Sequence, residues 1–470
     1  MKTKISVFTF IAILINCGAS AQTWEMIACG TEFTLAKRSD GEIATWGFNA
    51  NGQLGIGNTD MHNEPVYLSG NSWMKITTGA IHALAIKTDS TLWGWGLNGN
   101  GQIGDGAVGQ STSPIQIGTD NHWKEISGGQ AHTLAIRSDG TLWACGFNYN
   151  GQLGIGSTED AGVLTQVNEE NDWRKISAGG GHSLALKTDG TLWAWGANFT
   201  GQVGDSESTQ YVQPILIAPD QTWLEISAGF EYSLGIRADG SLWAWGNNTN
   251  GQLGIGSVTP ALEPTQVDTA NNWTQIAAGG SASYAINDQF ELYSWGFNAY
   301  GQLGLGSTSQ ETTPQLVDSS EDWFAVAASD GLLANNSVYG LHAAAIHEPR
   351  TSICSSGANY VGQLGTGDIG DLNTFQCNTA IITSVEESSS SEGDLNIYPN
   401  PANEVIQFNW LKSNKEIWHY NIFNAQGQLI KSGSCKENKL QLDIADLSSG
   451  IYQLSCQRKN ELVTKQLIVR

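Results

Sequence analysis

Four histidines, His82, His132, His182 and His342, fall at one position of a recurring sequence unit, with Phe33, Tyr232 and Ala282 in the other units. Imidazoles repeated in this way could bind a metal near a channel, or could tie a turn through backbone hydrogen bonds. Equivalent positions in a wide ring stand too far apart for ligation at about 2 Å, which favours the turn. A second pattern, Gly-x-x-Gly-x-Gly, looks like a phosphate-cradling loop at first sight. It recurs in every unit and introduces no predicted helix, so the nucleotide reading fails. No Ser-His-acid set with a nucleophile elbow, no His-Glu-x-x-His and no Asp-x-Asp-x-Asp-Gly loop occurs. No catalytic residue, metal ligand or cofactor is therefore assigned, although distant units could still bring an acid and a base together.

Six cysteines follow residue 21: Cys29, Cys145, Cys354, Cys377, Cys435 and Cys456. Cys145 stands where most units carry a tryptophan, which suits a buried thiol. A Cys29–Cys377 bridge would lock a ring, Cys354–Cys377 competes with it, and Cys435–Cys456 could brace the tail. Sequence does not assign the pairs, and unbridged thiols are the alternative for each.

The elements that position these residues are repeats. Gly52-Gln-Leu-Gly-Ile-Gly returns in related form at Gly101, Gly151, Gly201, Gly251, Gly301 and Gly362, at spacings of 49 to 61 residues. Trp24, Trp73, Trp123, Trp173, Trp223, Trp273 and Trp323 keep the same beat. A period near 50 marks a propeller or solenoid, and seven strand-rich copies predict a closed ring of seven blades. Each unit reads as four short strands. In the third, Trp123 opens one, and His132-Thr-Leu-Ala-Ile-Arg is a second. Asp139-Gly140 signals a two-residue hairpin turn with positive φ at both central positions, leading to Leu142-Trp-Ala-Cys-Gly, and a glycine-rich crossing precedes the fourth. Runs such as Leu192-Trp-Ala-Trp are apolar on both faces, as stacked blades require. If each fourth run hairpins onto the following tryptophan strand, blade one lacks a strand. Asn378-Thr-Ala-Ile-Ile-Thr would then supply it, placing Cys29 and Cys377 on adjacent strands.

The seventh unit departs from the others. It carries extra residues between Ser329 and His342, and Cys354-Ser-Ser-Gly replaces its Trp-x-Trp-Gly. Leu332, Leu333 and Tyr339 in this insert are candidate partner-binding residues, an apolar finger. Tucking over the channel mouth is the alternative.

The chain carries −23, from 22 Lys and Arg against 45 Asp and Glu, and no Lys or Arg occurs between Arg237 and Arg350. Such a surface repels phosphate backbones and argues against nucleic-acid binding. Lys2 and Lys4, an apolar run from Ile5 to Ile15 and Ala19-Ser20-Ala21 read as a signal peptide over 1–21. That run is too short to span a bilayer, and the mature chain offers no transmembrane segment. A propeller over 22–384, a Ser/Glu-rich linker over 385–393 and a small β-sandwich over 394–470 complete the organisation, an all-β chain throughout.

The recurring Trp-x-Trp-Gly-x-Asn-x-x-Gly-Gln-Leu-Gly core resembles the regulator-of-chromosome-condensation (RCC1) family over about 24–384. The resemblance implies a seven-bladed propeller that holds another protein on a flat face. The family's exchange factor uses a wedge in an early blade, whereas the insert here is in the last, so exchange activity does not carry over. Asn396-Ile-Tyr-Pro-Asn-Pro, Phe423-Asn-Ala-Gln-Gly-Gln, Leu447-Ser-Ser-Gly-Ile-Tyr and Leu467-Ile-Val resemble the sorting domain of type IX secretion substrates. That resemblance implies contact with the type IX machinery, and secretion or display on the outer cell surface after periplasmic transit. The expectation is a protein-interaction module, not an enzyme, whose partner is an extracellular protein or glycan. An enzyme or enzyme inhibitor using the ring face, and a passive adhesin or spacer, are the alternatives.

Overall fold

The computed structural model describes residues 22–378 apart from 71, 319–321, 330, 335–336 and 340. In the tail it describes 395–398, 405–410, 418–423, 429–435, 439–444, 447, 450–458 and 461–469. The segment read as a signal peptide and the proposed linker lie outside the described residues. The chain divides into two compact units, Met1–Thr383 and Ser384–Arg470.

The first unit is a propeller of seven four-stranded antiparallel sheets. Blade 1 comprises Trp24–Cys29, Phe33–Arg38, Ile43–Gly47 and His62–Tyr67 in consecutive order. The other six blades follow the same order, each opening on its repeat tryptophan. The ring closes differently from the expected clasp. Each fourth strand pairs with the third strand before it, as in Trp93↔Gln116 and Trp143↔Gln166, not with the following tryptophan strand. Blade 1 is complete from its own residues, and Asn378 ends the fourth strand of blade 7. The remainder of the proposed clasp, residues 379–383, lies outside the described residues. The short step from Gln116 to Trp123 looks like a hairpin in sequence but is the passage between blades. The long glycine-rich crossing is the within-blade turn, and it fills the space over the next blade.

Seven apolar clusters account for seven seams. Leu134, Ile136 and Leu142 of blade 3 pack with Trp173, Ile176 and Trp195 of blade 4. Trp24, Ala36 and Trp46 of blade 1 pack with Ala344, Ile346 and Ile353 of blade 7, so the last seam is built like the rest. Five further clusters fill the seams between. Each blade is covered on both faces, which is why its strands do not alternate polar and apolar. The glycines of the crossing permit this contact: Gly254 adopts φ +73°, and a Cβ there would lie 2.7 Å from Trp295 Nε1.

The turns between second and third strands also differ from expectation. Gly140 alone has positive φ, its N–H meets the Arg137 carbonyl at 3.0 Å, and Arg137 N–H meets the Thr141 carbonyl at 3.1 Å. This is a three-residue turn closed by a left-handed glycine, in place of a two-residue turn with two such positions.

The tail unit holds a three-stranded sheet (Leu395–Tyr398, Val405–Trp410, Lys439–Asp443) and a four-stranded one (Leu429–Cys435, Trp418–Phe423, Gly450–Arg458, Glu461–Val469). Tyr420 and Ile422, two apart on one strand, share a buried face with Tyr452 and Leu454. Among the described residues no helix is long and apolar enough to cross a membrane.

Candidate functional site

Antiparallel order puts the turns between first and second strands, and the crossings between third and fourth, at one end of the ring. The crossing is built by two constant side chains. Asn148 Oδ1 accepts from Leu153 N–H at 2.9 Å, while its Nδ2 donates to the Ser157 and Glu159 carbonyls at 3.0 and 2.9 Å. Gln152 Oε1 accepts from Asn150 N–H at 3.0 Å. With the Asn148 and Gln152 side chains and the Asn150 N–H engaged inward, the residue between the asparagines is turned out to solvent.

That outward position is where the repeats vary. It carries Ala50, Gly99, Tyr149, Phe199, Thr249, Ala299 and Tyr360, with Tyr300 one residue further along in blade 6. Tyr149 is 72% and Phe199 65% exposed, and Tyr300 and Tyr360 are also exposed. Phe147 stacks on Tyr149 with ring centroids 6.4 Å apart. Tyr360 donates its hydroxyl to Glu32 of blade 1. Sequence reasoning did not single these four out. The signal was available as two variable positions between the constant asparagine and the constant Gly-Gln of the motif.

The insert of blade 7 emerges at the same end. It forms a small hairpin, Leu332–Ala334 with Ser337–Tyr339, in which Leu332 pairs with Tyr339 and Leu333 with Val338. The side chains of Leu332, Leu333 and Tyr339 lie outside the described residues.

The histidines bolt seams. His82 Nε2 lies 3.2 Å from Thr133 Oγ1, His132 3.0 Å from Ser183 Oγ, His182 2.9 Å from Ser233 Oγ, and His342 2.9 Å from Thr34 Oγ1. Each hydroxyl donates in turn to a glutamine carbonyl of the histidine's own blade: Gln102, Gln152, Gln202 or Gln363, at 2.7 to 3.0 Å. A hydroxyl has one proton, so the imidazole must be the Nε2–H tautomer, which leaves Nδ1 bare and without a hydrogen-bond partner. Burial drives the pKa of His82 down to about 4 and those of the other three to about 3, so all are neutral. The partners are matched around the ring. Tyr232 takes the imidazole's place opposite Ser283, whereas Phe33 faces Ala83 and Ala282 faces Ala343. These bonds run between blades, in place of the backbone turn contacts expected.

Cys354 and Cys377, paired across adjacent strands of blade 7, form a disulfide. Cys29 is a buried thiol in blade 1 whose Sγ lies 3.7 Å from the Ala327 carbonyl. The expected juxtaposition of Cys29 with Cys377 is thus not made, because blade 1 does not take a strand from beyond residue 377. Cys145 is a buried thiol 3.6 Å from the Gln102 carbonyl, its pKa raised by burial. In the tail, Cys435 and Cys456 lie on the two strands that flank Trp418–Phe423, so one strand separates them. His347 approaches the disulfide closely enough to form, with Cys354 and Cys377, the one potential metal-ligand group among the described residues. With both sulfurs bonded to each other, it offers a single imidazole.

Protein-family models agree with this geometry. The RCC1-like domain matches residues 6–234, the RCC1 repeat matches 239–286 and 291–333, and a second RCC1 repeat model matches 223–252. The secretion system C-terminal sorting domain matches 396–470. Human WBSCR16 superposes with a TM-score of 0.63 at 20% identity, over 72% of this chain and 93% of that one. Prp20p of Saccharomyces cerevisiae, described with its binding to Gsp1p and histones, superposes at 0.63 and 19% identity over 80% and 90% of the two chains. The yeast protein bound to Kap60 gives 0.62 at 19%, over 80% and 86%. At such identities the solved structures speak for the fold. By its repeats the chain belongs to the RCC1 propellers, and over 396–470 it carries a secretion-system sorting domain.

Proposed function

We propose that this chain is an exported propeller that holds an extracellular protein against the crossing end of its ring and performs no chemistry of its own. The single observation that carries the reading is the display of Tyr149, Phe199, Tyr300 and Tyr360 at one end, each on a crossing whose asparagine and glutamine side chains are committed to structure. Solvent-facing aromatic residues on rigid supports are the usual anchors of protein interfaces. An evenly acidic face would have suited a passive spacer. Every carboxyl whose pKa is displaced among the described residues is displaced downward, which suits fixed anions better than a general acid. The sorting domain supports delivery to the outer surface or release. The N-terminal segment 1–21 as export signal, periplasmic transit and the type IX machinery as carrier belong to the same proposal.

Affinity capture from the native culture, with the full chain as bait, tests it. The double variant Tyr149→Ser, Phe199→Ser should lose the recovered protein by roughly tenfold or more while keeping its melting temperature. Equal recovery by both baits would contradict the reading. Loss of capture after glycosidase treatment of the culture would assign a glycan instead.

A further inference from the structure

At the opposite end of the ring, blades 2 to 5 share a structure that blade 6 leaves incomplete. The last residue of the second strand is Lys87, Arg137, Lys187 or Arg237, and its cationic head lies over two tryptophan rings. The nearer ring is 3.7, 3.9, 4.7 and 3.3 Å away, and the farther one 4.8 to 5.1 Å. Carboxylates complete two of these cages: Asp120 lies 2.6 Å from Arg137, and Glu170 and Asp172 lie 2.8 and 3.3 Å from Lys187. Burial works against the Lys187 ammonium, yet the two acids outweigh it and raise its pKa. Four copies show what these walls accept: an alkyl-borne cation between aromatic faces and anions.

Blade 6 keeps the walls and lacks the cation. Trp273 and Tyr293 meet edge-on at 5.1 Å, as Trp73 and Trp93 do at 5.9 Å. The position of the cation is occupied by Asn287, which is too short to reach between the rings and instead donates to Glu291 at 2.6 Å. Glu291 stands where Glu42 of blade 1 pairs with Arg38 at 2.7 Å, and Asp268 accepts from Trp273 Nε1 at 3.3 Å. Both acids raise the pKa of Tyr293, after burial, so the cage is electronegative. No Lys or Arg occurs from residue 238 to 349, and none lines the cleft that this leaves. A cleft of about 410 Å³ opens there, lined by Asp268, Trp273, Asn287, Gln289, Glu291 and Tyr293 among others. Between the lining residues Gln289 and Glu291, exposed Phe290 holds φ +61°, where blades 1, 3, 4 and 5 place glycine, a strained conformation for a bulky residue.

We propose that the cleft of blade 6 is a binding site for an exogenous organic cation, the guanidinium or ammonium group of an arginine or lysine side chain presented by a partner. The incoming group replaces the missing side chain of the repeat, lying between Trp273 and Tyr293 with Asp268 and Glu291 as counter-ions. The site stands at the other end of the ring from the exposed aromatic residues and does not depend on what those hold.

Titration of the full chain with Nα-acetyl-arginine methylamide, followed by calorimetry and saturation-transfer NMR, tests this. One saturable site is expected, with a dissociation constant on the order of 1 mM or tighter. The neutral citrulline analogue should bind at least about tenfold more weakly. Asn287→Arg restores the residue type of blades 2 to 5, so it should fold, melt higher than the parent and lose the site. Glu291→Gln, with the fold retained, should weaken binding several-fold. Equal affinity for arginine and citrulline probes, or unchanged binding by Asn287→Arg, would overturn the proposal. Equally tight binding of bare ethylguanidinium would overturn a partner's side chain as the source and assign a free small cation.

Discussion

Blade 4 and blade 6 are tied alike to the crossing of the blade before them and differ where they meet solvent. In both, a third-strand tryptophan donates from Nε1 to the glutamine carbonyl of the preceding crossing: Trp195 to Gln152 at 2.8 Å, and Trp295 to Gln252 at 2.9 Å. In both, a serine closes the same carbonyl, Ser183 at 2.8 Å and Ser283 at 2.7 Å. Yet blade 4 fills its cage with Lys187, and blade 6 leaves Trp273, Tyr293, Asp268 and Glu291 around an asparagine. A repeat protein thus supplies its own control. Features common to all blades are explained by ring closure, and a wall kept where its occupant has gone points to a ligand. The same reasoning isolates Tyr149 and Phe199, which vary between an asparagine and a glutamine that do not.

The largest effect expected concerns the seams, four of which carry a histidine. Four histidines are held neutral, with pKa values of about 3 to 4 in the folded chain against an ordinary value of 6.5. Above pH 6.5 neither state binds a proton at these sites. As the pH falls below that, the unfolded chain takes protons up and the folded one does not, so stability drops. The loss is about 1.4 kcal/mol per pH unit for each histidine, continuing until the pH nears 3 to 4. Denaturant unfolding at pH 7, 6 and 5 should show a steepening decline, and a flat profile would show that the imidazoles are not sealed in the seams.

A smaller effect separates the bolt from the seam it fastens. His132→Phe alone removes the donor to the buried Ser183 oxygen, which keeps its own bond to the Gln152 carbonyl, and should cost about 1–3 kcal/mol by chemical denaturation. Adding Ser183→Ala copies the Phe33–Ala83 pair of the first seam and should recover most of that loss. Failure to recover would mean that the matched pairs around the ring are coincidental.

Much of the fold was legible because its punctuation is chemical. Glycines at positive φ, tryptophans on a fixed beat and strands apolar on both faces report turns, seams and stacking directly. Strand order was not legible. A short link from Gln116 to Trp123 and a long one from Gly146 to Ala161 suggest the opposite pairing to the one observed, until the crossing is seen packed over the next blade. The histidine bolts were out of reach for a similar reason, since His132 and Ser183 lie 51 residues apart and meet only when blades stack. Blade 6 was half visible: the long stretch without Lys or Arg stood out in the sequence, but only the cages of its sister blades give it meaning. Tyr149, Phe199, Tyr300 and Tyr360 needed the repeats aligned column by column.

The most direct measurement counts arginine-probe sites as the residue between the aromatic walls is changed. Wild type should bind one equivalent of Nα-acetyl-arginine methylamide. Lys187→Asn should open a second cage, walled by Trp173 and Trp193 and flanked by Glu170 and Asp172, at a stability loss of about 1–2 kcal/mol. Asn287→Arg should bind none. A series of one, two and zero equivalents is the result expected, and a count that does not follow the substitutions would contradict the account.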